Sequence, residues 1–87
     1  MIMLAGPGAF AQSNLDLQPN DTVRSVLARQ VGKPVELRVK SGEKISGKLQ
    51  KVTDKFAHLA QLANAEFYDA AVDLDSIEAV VIRTRSN

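Results

Sequence analysis

Alternation of apolar and polar residues between Pro34 and Leu49 limits how this chain can fold more than any other feature of its sequence. A period of two is typical of a β-strand with one buried face, because successive side chains point to opposite sides. Ser41-Gly42 interrupts the alternation and is expected to turn the chain between two strands. Gly47 lies within the second strand, where a glycine usually marks a bulge or a sharp bend. The stretch therefore predicts a hairpin whose second strand is strongly bent.

Helical periodicity precedes this hairpin and further strand patterns follow it. Apolar residues recur at three- and four-residue spacing between residues 23 and 31 and predict one face of a short helix. Asn20 or Asp21 is expected to cap the start of this helix, and Gly32 is expected to end it. Beyond the hairpin, three more strands are predicted at residues 56–62, 67–73 and 77–82.

Composition limits the chain to one small domain. Its 87 residues include no cysteine, which excludes disulfides and cysteine-ligated metals. A domain of this size has a small core, so oligomerisation is the expected source of added stability. The net charge is only +1, but the bases concentrate between Arg24 and Lys55 and the acids between Glu66 and Glu78. Such a distribution indicates either a polyanion site or complementary charge between subunits.

The first residues resemble the end of a secretory signal. Residues 1–18 are expected to form a signal-like or flexible leader, and residues 19–87 the folded domain. Ala9-Phe10-Ala11 matches the A-x-A cleavage pattern, although no basic segment precedes it. This pattern favours a periplasmic or secreted location slightly over a cytoplasmic one. The apolar stretch is too short to span a membrane.

Several ordered motifs of the chain resemble the Sm-like (LSm) superfamily, and its bacterial Hfq branch in particular. The resemblance implies an N-terminal helix followed by a strongly bent, five-stranded antiparallel SH3-like barrel of mainly β structure. It also implies a homo-oligomeric ring, in which the fourth strand of one subunit pairs with the fifth strand of the next. The motifs are Leu17-Gln18-Pro19, Lys33-Pro34-Val35-Glu36-Leu37, Ser41-Gly42, Ile45-Ser46-Gly47, Asp54-Lys55-Phe56 and Ile77-Glu78-Ala79-Val80-Val81.

Single-stranded RNA is the partner that the resemblance implies, beside the chain itself. Hfq-like proteins hold uridine-rich RNA with an aromatic residue, matched here by Phe56, and a Tyr-Lys-His run, which reads Asp73-Leu74-Asp75 in this chain. Two carboxylates would repel phosphate, so the RNA is expected on the basic hairpin instead. The candidate RNA contacts are Phe56, Lys44, Lys48, Lys51, Lys55 and Arg83, and the candidate subunit contacts are Phe67, Tyr68, Val80, Val81 and Ile82.

No motif for catalysis or cofactor binding accompanies these candidates. The chain has no nucleophile motif or phosphate-binding loop, so we expect neither an enzyme nor a cofactor. Asp73, Asp75 and Glu78 could ligate a hard cation, but turn formation and helix capping explain the two aspartates equally well. His58 is expected at a surface or an interface. Two functions compete: a ring that binds single-stranded RNA, and an extracytoplasmic structural or partner-binding ring without RNA activity.

Overall fold

The computed structural model describes residues 15–84, and the Ala9-Phe10-Ala11 pattern of the predicted leader lies outside them. Within residues 15–84 a short helix precedes five antiparallel strands, which form one sheet in the order β4-β3-β2-β1-β5. The elements are α1 (Val23–Ala28), β1 (Pro34–Val39), β2 (Lys44–Val52), β3 (Phe56–Ala60), β4 (Ala70–Asp73), a 3₁₀ turn (Leu74–Ser76) and β5 (Ile77–Val81).

The start of α1 differs from the prediction, because Thr22 is its N-cap rather than Asp21 or the residue before it. Thr22 has an extended backbone, and its hydroxyl accepts a hydrogen bond from the Ser25 amide at 3.1 Å. The Ser25 hydroxyl accepts one from the Thr22 amide at 2.8 Å, which completes a reciprocal cap. The helix ends at Ala28, so Val31 lies beyond it and is 47% exposed.

Asp21 has a different role, since its carboxylate ties both ends of α1 together. It accepts hydrogen bonds from the Gln18 amide and the Ser25 hydroxyl, each at 2.7 Å. The Arg29 guanidinium donates to both of its oxygens, at 2.9 and 2.8 Å. The bonds from Arg29, Gln18 and Ser25 hold the pKa of the Asp21 carboxyl well below its usual range. The hydrogen bonds between Arg29 and Asp21 also raise the pKa of the Arg29 guanidinium.

The β1–β2 hairpin matches the prediction in its turn and its faces. Gly42 has a φ of +101°, a left-handed value that favours glycine. Gly47 has no such backbone requirement. It is needed because a Cβ there would lie 2.8 Å from the Ala60 carbonyl oxygen and 3.1 Å from Leu62 Cδ2. Close approach of β2 to the chain leaving β3 therefore explains the second glycine.

The core lies between α1 and the inner face of the sheet and is aliphatic. Side chains from α1, β1, β2 and β3 are fully buried in it, namely Leu27, Leu37, Leu49 and Leu59. β3 and β4 are shorter than predicted, because residues 61–69 form a loop closed by a bridge between Leu62 and Ala65. β5 ends at Val81 rather than Ile82. In residues 15–84 no helix is long and apolar enough to cross a membrane.

Candidate nucleic-acid interface

β2 presents lysines on the outer face of the sheet, which is the face opposite the core. Lys44 lies across from Arg38 of β1, and Lys48 lies across from Pro34. All four residues are exposed. Because side chains directly opposite each other in an antiparallel pair share a face, the hairpin places three cations on one side.

A register shift between β2 and β3 keeps Lys51 on the same face. Leu49 lies opposite Leu59, whereas Lys51 lies opposite His58, so β2 has one more residue than β3 at this point. This is the geometry of a β-bulge. With strict alternation, Lys51 would share the buried face with Leu49. Instead Lys51 is exposed, and the next residue, Val52, packs against the core.

Cations of the outer face have few acidic neighbours. Arg38 Nε contacts Glu36 Oε2 at 2.9 Å, an exposed pair. In the part of the chain that the structure describes, none of the four lysines of this face and its adjoining turn forms an ion pair. Their charges are therefore available to a polyanion. The outer basic face comprises Arg38, Lys44, Lys48, Lys51 and Lys55.

Phe56 lies next to the acidic turn that the sequence singled out. It begins β3, is 46% exposed, and lies directly opposite Asp73 of β4. Asp73 Oδ1 accepts a hydrogen bond from the Asp75 amide at 3.0 Å, as expected for turn and cap chemistry. The Leu74 amide donates to the Lys55 carbonyl at 2.8 Å, which joins this turn to the turn before Phe56. We call Asp73 and Asp75 the acidic rim, and it places negative charge beside the exposed aromatic ring.

The candidate subunit contacts lie at the two free edges of the sheet. Phe67 and Tyr68, 97% and 68% exposed, come just before the edge strand β4. Val80, Val81 and Ile82 lie on and just after the other edge strand, β5. Val81 is 39% exposed, while Val80 and Ile82 pack partly against the core of their own chain. Of these three candidate contacts, Val81 is therefore the one with the most surface for a neighbour.

An open groove crosses the outer face at the β5 edge. Its volume is about 540 Å³, and it separates the end of β5 from the loop after β3. The groove brings together residues from β1, β2 and the segment after β5. No local sequence signal indicates this combination, because the position of β5 depends on its pairing with β1. The lining residues used below are Pro34, Glu36, Ser46, Lys48, Val81, Ile82 and Arg83.

His58 and the acidic residues do not assemble into a metal centre. His58 Nε2 lies 2.8 Å from Asp69 Oδ2, which ties β3 to the chain entering β4. Within residues 15–84, no three histidine or acidic side chains are placed to hold a metal ion. Asp73, Asp75 and Glu78, which the sequence suggested as possible ligands of a hard cation, are therefore not placed together to hold one.

Comparison with known proteins supports the fold. The sequence matches no protein-family model and no curated protein. Among solved structures, the chain is similar to the crystal structure of an SmAP (LSm) protein from Methanococcus vannielii, with a TM-score of 0.62 and 17% sequence identity. The match covers 76% of this chain and 100% of that one. The chain therefore has the Sm-like fold, as its motifs suggested.

Proposed function

We propose that this Sm-like chain is one subunit of a closed homo-oligomeric ring that binds single-stranded RNA through the outer basic face. The proposal is for a binding module without catalytic activity. The observation that carries it is the bulge-adjusted register of β2, which gathers lysines on one exposed surface without acidic partners in the described chain.

Two free sheet edges support the ring. β4 and β5 are the outermost strands of the sheet, so each leaves one row of backbone groups unpaired within the sheet. Exposed edges are prone to pair with another chain. Pairing β4 of one subunit with β5 of the next would satisfy both edges, and the rotation between successive subunits would have to close the assembly. A ring also adds burial to a domain with a small core.

Charge favours RNA on the outer basic face over RNA at the acidic rim. Lysines that neutralise phosphates release counterions, and this release supplies most of sequence-independent affinity. Phe56 could stack on a base, but Asp73 lies directly opposite it and would repel the adjoining phosphate. We therefore assign the phosphate contacts to the lysines and leave Phe56 as a candidate stacking residue at the edge of the face.

Two measurements test the proposal. Light scattering should give a concentration-independent multiple of the 9.4 kDa chain mass, and a monomer would refute the ring. Fluorescence titration with a uridine oligomer should show affinity that falls steeply between about 50 and about 200 mM salt. Each lysine-to-alanine change at Lys44 or Lys51 should reduce the salt slope by about 0.7.

Lys33→Ala is the matched control, because Lys33 is also exposed but precedes β1 and lies outside the outer basic face. Its salt slope should stay close to that of the parent protein. An equal loss of affinity and of salt slope in the Lys33, Lys44 and Lys51 variants would show that binding depends only on net charge. No binding at tens of micromolar protein would remove the RNA function and leave a structural or partner-binding ring.

A further inference from the structure

The loop before β4 carries two adjacent aromatic side chains that contact little of their own chain. Phe67 is 97% exposed and Tyr68 is 68% exposed. Aromatic side chains bury large apolar areas and dominate interface energetics, and two of them together beside a free sheet edge favour a contact with another molecule. The core of the same chain does not use them.

The groove at the β5 edge offers a matching surface. Pro34, Val81 and Ile82 give it an apolar lining, and Lys48 and Arg83 contribute cations. Its volume of about 540 Å³ is in the range of cavities that enclose a drug-sized ligand. The groove is open to solvent, so aromatic side chains of a neighbouring subunit can enter it from outside.

Strand direction brings these two features together. If β4 of one subunit pairs antiparallel with β5 of the next, residues before Ala70 run alongside residues after Val81. The aromatic pair, Phe67-Tyr68, would then lie beside Ile82 and the groove, whatever the register to within a residue or two. The faces also agree: Asp69 bonds to His58 on the outer face, and the groove opens on that same face.

Charge complements the shape. Glu66 and Asp69 flank the aromatic pair on its two sides. Lys48 and Arg83 line the groove, together with Glu36, which contacts Arg38. Opposite charges placed this way favour one register of association and disfavour others. Complementary charge between subunits at this contact would account for part of the separation of acids and bases along the sequence.

We infer that the aromatic pair of one subunit packs into the β5-edge groove of the next, and that this contact holds the ring together. This contact rests on the proposed ring, and its side chains would lie between neighbouring subunits. It also narrows the RNA contacts: Lys48 and Arg83 face the acids of the neighbouring subunit, so RNA binding depends on Lys44, Lys51 and Lys55.

Complementary variants test the contact. Phe67→Ser/Tyr68→Ser removes the aromatic pair but leaves the groove intact. Ser46→Trp fills the groove from β2, which is not an edge strand, and leaves the loop that carries the aromatic pair unchanged. Each variant alone should weaken assembly about thirty-fold or more, the effect of losing hot-spot residues. An equimolar mixture should form dimers, because each mixed pair retains one complete contact.

Val31→Ser is the control for loss of exposed apolar area, since Val31 is 47% exposed and lies outside the groove. It should assemble like the parent protein. Circular dichroism of each variant checks the fold, and the dimer in the mixture shows that both variants are competent. The inference would be overturned if either variant formed the ring at the same protein concentrations as the parent protein, or if the mixture stayed monomeric where the parent protein assembles. A monomeric parent protein would instead refute the ring proposal itself.

Discussion

Replacing Gly47 by alanine tests the close approach of β2 to the end of β3 and to Leu62 just after it. The added Cβ would lie 2.8 Å from the Ala60 carbonyl oxygen, 3.1 Å from Leu62 Cδ2 and 3.4 Å from Leu62 Cα. Neither the carbonyl nor the Cα can move without shifting backbone, since β2 and β3 are paired at Lys48 and Ala60. Inserting atoms into such a packed site costs about 1–3 kcal/mol. We expect Gly47→Ala near the upper part of this range and Gly47→Val above it.

Gly42 provides the matched control, because a side chain there is disfavoured by backbone conformation and not by steric contact. A Cβ at Gly42 meets nothing within 4 Å, but the φ of +101° is unfavourable for a side chain. A left-handed residue of this kind costs roughly 1–2 kcal/mol, and less for asparagine. Destabilisation should therefore decrease in the order Gly47→Val, Gly47→Ala, Gly42→Ala and Gly42→Asn.

Thermal and urea melts at one fixed protein concentration measure this order, since the proposed assembly would make the melting temperature depend on concentration. Each 1 kcal/mol should lower the melting temperature by about 4–8 °C in a domain this small. The urea m-value should not change if only stability changes. A Gly47→Ala protein as stable as its parent, or more stable than Gly42→Asn, would refute the contact argument.

Three further changes probe the helix and the acidic rim. Thr22→Ala should lower stability by about 1 kcal/mol by removing the cap of α1, and Thr22→Ser should restore most of it in the same melts. The pKa of Asp21 is lower in the folded chain than in the unfolded chain, so its stabilising contribution is complete above about pH 4 and declines as the pH falls below that value. Asp21→Asn should therefore flatten the fall in melting temperature between about pH 4 and about pH 2, and an unchanged pH dependence would contradict this role. Asp73→Asn/Asp75→Asn should strengthen binding of a uridine oligomer at low salt by removing repulsion, and weaker binding would indicate that the acidic rim contacts the ligand.

Local patterns were sufficient to predict the hairpin. Alternation placed the valines and leucine of β1 on the buried face, and the Ser41-Gly42 turn has the left-handed glycine that a tight reversal requires. The start of α1 was harder, because Asp21 and Thr22 are both good N-caps. The choice between them depends on Arg29, which bonds both oxygens of Asp21. An ion pair across the whole helix is not visible in the local sequence.

Register shifts mark the limit of inference from sequence at the candidate site. Strict alternation from Leu49 would have placed Lys51 in the core, and the extra residue of β2 that returns it to the outer face depends on pairing with β3. A second shift lies between Arg38 and Val39, where β5 has one more residue than β1. The sequence named the cations, but pairing between distant strands decides which of them a polyanion can reach together. If RNA binds the outer basic face as proposed, a change that removed the bulge in β2 would therefore alter this binding without altering net charge.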